Sequence, residues 1–143
     1  NFIRPINTKI NNPWDIKDAA ISFDKIMSTL SPVKTGVRII LFDACRDSPF
    51  KSFSKSSQRG LAKIGDIKGT IIGFATGPGL TADDGDDENS PYTEGLVKAI
   101  HKPDLPIELV FKEASKWVVG KTDGKQVPWY TSSLLANFYF HKE

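Results

Sequence analysis

Residues 37–47 read Val37-Arg38-Ile39-Ile40-Leu41-Phe42-Asp43-Ala44-Cys45-Arg46-Asp47. The part from Val37 to Phe42 is branched and apolar with no helical period, which predicts a strand buried on both faces, as strands of parallel sheets are. A second buried strand is expected over Thr70 to Ala75, followed by the glycine turn Gly77-Pro78-Gly79. Helical spacing surrounds the two strands. Ser22 stands before Phe23, Ile26, Met27 and Leu30, spaced i, i+3, i+4, i+7, so one apolar face follows a cap, and Pro32 ends it. Ser90-Pro91 supplies a cap and a proline at the first helical position, with Leu96, Val97 and Ile100 as the inner face. A further helix opens at Pro106, runs through Ile107, Val110, Phe111, Ala114 and Val118 and closes near Gly120, and Thr122-Asp123-Gly124-Lys125 turns the chain. Phe2, Ile3 and Ile6 give a short extended start broken by Pro5, Asn7 to Asp15 a polar linker, and Phe138 to Phe140 a final aromatic strand. Strands alternating with helices in this way predict an α/β sheet covered on both sides.

The 143 residues suit one domain with a real core. Nineteen basic and 17 acidic side chains leave a net charge of +2, which argues against nucleic acid as a partner. No apolar run approaches the roughly twenty residues a bilayer span needs, so no membrane partner is expected and the chain reads as soluble. A single cysteine, Cys45, can form neither an intrachain disulfide nor a thiolate metal cage. The start at Asn1 lacks the basic and apolar regions of a signal peptide and is not Met, so a fragment or a processed product is expected, with a cytoplasmic location favoured.

In an open α/β sheet the loops beyond the carboxyl ends of the strands form the ligand crevice, and Cys45 sits where such a strand ends. Strand side chains alternate, so Asp43 and Cys45 are expected to point to the same side. A carboxylate there needs water or a partner, and a cationic substrate side chain is one such partner. Two readings stand side by side. Cys45 is a nucleophile beside a specificity acid, or it is a buried structural thiol beside an Asp that forms a turn or caps a helix.

The segment Asp43-Ala44-Cys45-Arg46-Asp47-Ser48-Pro49-Phe50 resembles the catalytic-cysteine motif of bacterial caspase-like peptidases, the metacaspase-related members of peptidase family C14. The likeness continues through Arg59-Gly60-Leu61-Ala62, then residues 75–85 and Ser90-Pro91-Tyr92-Thr93, to Gln126-Val127-Pro128-Trp129 and Phe138-Tyr139-Phe140. The resemblance implies a caspase-like three-layer sandwich, a mostly parallel sheet with helices on both faces and with N-terminal strands missing from this chain. Residues 1–143 would be one partial domain, with loops 46–68 and 80–90 around the site. It implies that the thiolate of Cys45 attacks a scissile carbonyl while a histidine takes and returns the proton. The Cys45 N–H would stabilise the oxyanion, by on the order of 3 kcal/mol in comparable sites. Asp43 would line the pocket for the residue before the cleaved bond; metacaspases carry Asp there and cleave after Arg or Lys. Asp84 matches a second acid of the family, in Thr81-Ala82-Asp83-Asp84, against the rival reading of a solvated loop carboxylate.

The family's histidine belongs to a His-Gly pair upstream of the segment that here begins at Asn1. The chain has only His101 and His141, neither in such a pair and both read as surface residues. A separate upstream segment carrying the catalytic His is therefore an expected partner, beside a peptide or protein substrate. The rival function is a catalytically inactive binding or scaffold module that keeps the fold; an unrelated α/β cysteine hydrolase would need His101 or His141 near the sulfur. Lys51, Lys55, Arg59 and Lys63 mark a solvated loop where metacaspases cut themselves, with Lys55 or Arg59 as the expected point. The acidic residues Asp83, Asp84, Asp86, Asp87 and Glu88 raise the question of calcium. Ser52 and Phe53 stand where metacaspases place a calcium acid, so no cofactor is expected.

Overall fold

The computed structural model describes residues 2–5, 7–34, 36–44, 68–77, 80–83, 85 and 88–143. Its contacts divide the chain into two units, Asn1–Thr35 with Ser48–Ile67, and Gly36–Asp47 with Lys68–Glu143. Among the described residues no helix is long and apolar enough to cross a membrane.

In the first unit, β1 (Phe2–Ile3) pairs antiparallel with β2 (Ile21–Ser22), joining Phe2 to Ser22 and Ile3 to Ile21. The stretch expected to be a polar linker ends in a 3-10 turn at Pro13–Asp15, and a short helix, α1 (Ile16–Ala19), follows it. The Asp15 carboxylate drives this turn by accepting the backbone N–H groups of Asn11 at 3.1 Å and Asn12 at 2.9 Å. Helix α2 (Phe23–Leu30) follows the predicted spacing, with Phe23 and Met27 buried and Ile26 and Leu30 half-buried. Ser22 occupies the cap position with extended backbone, but its hydroxyl makes no capping bond.

The second unit is built on a three-stranded sheet in the order β3-β4-β5, comprising β3 (Arg38–Phe42), β4 (Thr70–Phe74) and β5 (Trp129–Ser132). The β3–β4 pairing is parallel, with Ile40 opposite Ile72, and the β4–β5 pairing is antiparallel, with Tyr130 opposite Gly73. The described sheet is therefore mixed. Only β4 is buried along its whole length, as expected of a strand with a neighbour on each side. Strand β3 is half-buried rather than buried on both faces, and Leu41 is 44% exposed, because β3 ends the described strand order and has one paired neighbour.

Helices α3 (Pro91–Ile100) and α4 (Ile107–Lys121) cover the sheet face that carries Ile71, Gly73 and Ala75. The core there joins Ile71 and Ala75 to Tyr92 and Leu96 of α3 and to Ile107, Phe111, Ala114 and Val118 of α4. Each large apolar side chain withdrawn from water in this way contributes about 1.5–3 kcal/mol. Gly73 must be glycine because a Cβ there would lie 2.3 Å from Phe111 Cε1 and 2.4 Å from Tyr92 Oη. Gly95 lets the helices meet, since a Cβ would lie 2.9 Å from the Ala114 carbonyl oxygen. The buried stripe of α3 runs Tyr92, Leu96, Ala99, and Val97, expected on the inner face, is 50% exposed. A stripe that starts from Tyr92 against the sheet leaves position 97 on the far side of the helix. Helix α4 buries the residues its spacing predicts.

On the opposite sheet face, Phe42, Phe74 and Trp129 form a row across the three strands, with ring centroids 5.5 and 5.8 Å apart. The expected strand at Phe138 to Phe140 is instead a single bridge between Tyr139 and Pro106, supported by a bond from Ile107 N–H to the Phe138 carbonyl at 2.8 Å. Both edges of β4 are taken, and Pro106 has no N–H with which to extend a ladder. The aromatic and β-branched Trp129-Tyr130-Thr131 takes the sheet position instead.

Candidate active site

The parallel pair carries its register one step past the strands, where the Ala75 N–H donates to the Phe42 carbonyl at 2.9 Å. Asp43 follows directly, and strand alternation turns it to the face of Ile39 and Leu41, the face under α3. Helix α3 begins there with Ser90 as its cap, whose Oγ accepts the Thr93 N–H at 3.1 Å. Both hydroxyls of this first turn donate to Asp43. Thr93 Oγ1 reaches Oδ2 at 2.6 Å, and Ser90 Oγ donates to the same oxygen. The carboxylate is exposed, yet it is oriented by two donors and by the positive end of a ten-residue helix. Tyr92, between the two hydroxyl residues, is 1% exposed, and its Oη has no hydrogen-bond partner among the described residues. Burial first, and the Asp43 charge second, push its ionisation above the ordinary phenol range.

A second tie spans the carboxyl end of β4. Gln126 is 2% exposed; its Nε2 donates to the Ala75 carbonyl at 2.9 Å, and its Oε1 accepts the Asp83 N–H at 2.9 Å. Its own N–H donates to Thr122 Oγ1 at 3.1 Å, and that hydroxyl donates to the Val118 carbonyl at 2.8 Å. Asp83 closes its turn by accepting the Gly85 N–H on Oδ1 at 2.9 Å. Thr81, Ala82, Asp83, Thr122, Lys125 and Gln126 line an open depression of about 430 Å³. The chain between strand β4 and helix α3 is thereby fastened to the scaffold at a polar point.

Of the site residues expected from sequence, Asp43 is described, and Cys45 and Asp84 lie outside the described residues, as do Lys55 and Arg59. The expected common orientation of Asp43 and Cys45 lies outside them too. His101 caps the C-terminal end of α3, its Nδ1 2.7 Å from the Val97 carbonyl oxygen. The His141 carbonyl accepts the N–H of Asp104, just beyond the same helix end, at 3.0 Å. Both histidines thus stand about 15 Å along α3 from the turn that holds Asp43. Sequence reasoning found Ser90 as a cap and missed that Ser90 and Thr93 converge on Asp43. The available signal was a hydroxyl at the cap position and another three residues later, which share one side of a helix start. In the sequence Gln126 stands out only within the family likeness, and its bridging of Ala75 and Asp83 has no periodic signature.

A family model for the caspase domain, peptidase family C14, matches residues 7–139. No curated protein matches the chain. Among solved structures, that of caspase-1 from Spodoptera frugiperda is similar, with a TM-score of 0.52 and 19% identity over 72% of this chain. The match takes in 45% of that chain, so the present residues span under half of its length. The α/β sheet with its covering helices is thus a caspase-like fold. With the family model extending over nearly all of its length, this chain belongs to the caspase domain family of cysteine peptidases.

Proposed function

We propose that these residues carry the nucleophile and the specificity acid of a caspase-type cysteine endopeptidase that cleaves after Arg or Lys. The observation that carries this reading is the exposed Asp43 carboxylate, held by Ser90 and Thr93 beyond β3 and two positions before Cys45 in a caspase-family chain. An oriented anion at the rim of a crevice pairs with a substrate cation through charge-assisted hydrogen bonds. Asp84 is the second acid of the same pocket.

In this mechanism a histidine from outside these residues takes the Cys45 thiol proton, and the thiolate adds to the scissile carbonyl. The intermediate collapses as that proton passes to the leaving amine, and water then hydrolyses the acyl-enzyme. The Cys45 N–H supplies one oxyanion donor. The second reading is a binding module that keeps the pocket without chemistry.

The test is alkylation of the intact protein by two peptide chloromethyl ketones that differ only in a final Arg or Asp. The peptidase reading expects Cys45 to be labelled faster by the Arg reagent. Equal rates would overturn the basic specificity. Labelling by neither, with iodoacetamide still reacting, would favour the module.

A further inference from the structure

We propose that Ser90 and Thr93 are specificity-determining residues which leave Asp43 a single oxygen, Oδ1, with which to meet a substrate cation. The inference rests on the basic pocket proposed above. A carboxylate oxygen has two in-plane lone pairs. Both hydroxyls of the first α3 turn donate to Oδ2, Thr93 Oγ1 at 2.6 Å, and so fill that oxygen. Among the described residues no hydrogen bond falls on Oδ1.

Ser90 is committed by its own bonds. Its Oγ accepts the Thr93 N–H at 3.1 Å, so its one proton is free to donate to Asp43. The helix start, the hydroxyl pair and the carboxylate are one connected unit, and turning the carboxylate would break two charge-assisted bonds at once. The orientation that leaves Oδ1 without a donor among the described residues is therefore fixed before substrate arrives.

A guanidinium derives its advantage over an ammonium from a planar fork that grips two carboxylate oxygens together. An acid that offers one oxygen denies it that fork. Lysine needs only one acceptor and loses nothing. The site therefore accepts Lys and Arg through Asp43 on nearly equal terms, and the hydroxyl pair sets that balance. Removing one hydroxyl opens a lone pair on Oδ2 and returns the fork to Arg.

The test uses the intact protein and two fluorogenic peptides identical except for a final Arg or Lys. Thr93→Val deletes the donor and keeps the branched shape, and Thr93→Ser restores the donor. The expected results are a wild-type ratio of kcat/KM for Arg over Lys within about threefold, a rise of that ratio by about tenfold in Thr93→Val, and a return in Thr93→Ser. Ser90→Gly, which keeps most of the capping preference, should move the ratio in the same direction. A purely structural role for the hydroxyls would lower both rates together. An unmoved ratio in both Thr93→Val and Ser90→Gly overturns the proposal. Asp43→Asn separates the two layers: if it leaves both substrates cleaved at wild-type rates, the basic pocket itself is wrong. If it removes cleavage while the hydroxyl variants leave the ratio unmoved, only the role of the hydroxyls is wrong.

Discussion

Gln126 Nε2 donates to the Ala75 carbonyl at 2.9 Å, so a buried side chain after α4 holds the carboxyl end of the central strand. Its Oε1 holds the Asp83 N–H at the same time, and one amide serves two elements 51 and 43 residues away. Replacing it with Leu keeps the volume and leaves a buried carbonyl and an N–H without partners. The buried Ala75 carbonyl costs about 1–3 kcal/mol and the N–H of exposed Asp83 can turn to water, so Gln126→Leu should lower stability by about 1–3 kcal/mol in urea unfolding with an unchanged m value. Gln126→Glu, which keeps the acceptor for Asp83 but turns a buried carboxylate toward the Ala75 carbonyl, should cost at least as much as Leu at pH 7.

Gly73 is the point where two helices press on the sheet. A Cβ at 2.3 Å from Phe111 Cε1 cannot be accommodated without moving a ring inside a filled core. Gly73→Ala should therefore destabilise by about 1–3 kcal/mol, although alanine is the better strand residue by propensity. The partner is identifiable. In the double variant with Phe111→Leu, the penalties should fail to add by about 1 kcal/mol or more, whereas simple additivity in thermal unfolding would show that Phe111 is not the obstacle.

These two positions show what a linear reading captures and what it does not. The spacing of Ile107, Val110, Phe111, Ala114 and Val118 encodes α4 because each residue contributes to a periodic face, and the helix forms as that spacing predicts. The run from Thr70 likewise reads as a buried strand because nearly every residue in it is apolar. Periodicity fails where contacts are set by the partner rather than by the chain itself. Val97 is apolar and helical, yet it is exposed because Tyr92, not Val97, meets the sheet. Phe138 to Phe140 has strand propensity, yet no free edge of β4 remains for it. The meeting of Asp43 with Thr93 spans 50 residues and depends on where α3 docks, so Ser90 was legible as a cap and not as a partner. Asp43 itself could be singled out because its position at the end of an apolar strand is a local fact.

Glu113 bridges Lys102 at 2.8 Å and Lys116 at 2.7 Å on the exposed side of α4. The hydrogen bond from Lys102 first, and that from Lys116 second, hold its carboxyl at about 2, below the ordinary 4.5. Because the folded value is the lower one, its contribution to stability is present above pH 4.5 and is lost as pH falls through 2. Carboxyl NMR titration should find the Glu113 midpoint near 2, and Lys102→Met should move it upward more than Lys116→Met does. High salt should also raise it, since both lysines are exposed. A midpoint near 4.5 in low salt would mean that neither pair forms in solution.

Tyr92 supplies the opposite sign. Its ring is 1% exposed and packs into the core, while its hydroxyl is buried without a hydrogen-bond partner among the described residues. Deleting that hydroxyl removes a desolvation penalty and breaks no bond, so Tyr92→Phe should leave stability unchanged or raise it by about 1 kcal/mol at pH 7. The phenol's ionisation is raised above 10.0, by burial first and by Asp43 second, so the folded state holds its proton longer than the unfolded chain does. The stability this provides is complete below pH 10 and is lost as pH rises toward the folded value. Unfolding midpoints measured from pH 8 to 11.5 should therefore fall more steeply for wild type than for Tyr92→Phe. A variant that is less stable at pH 7 by more than about 1 kcal/mol would show that the hydroxyl has a partner after all, most simply a buried water bound beside Gly73.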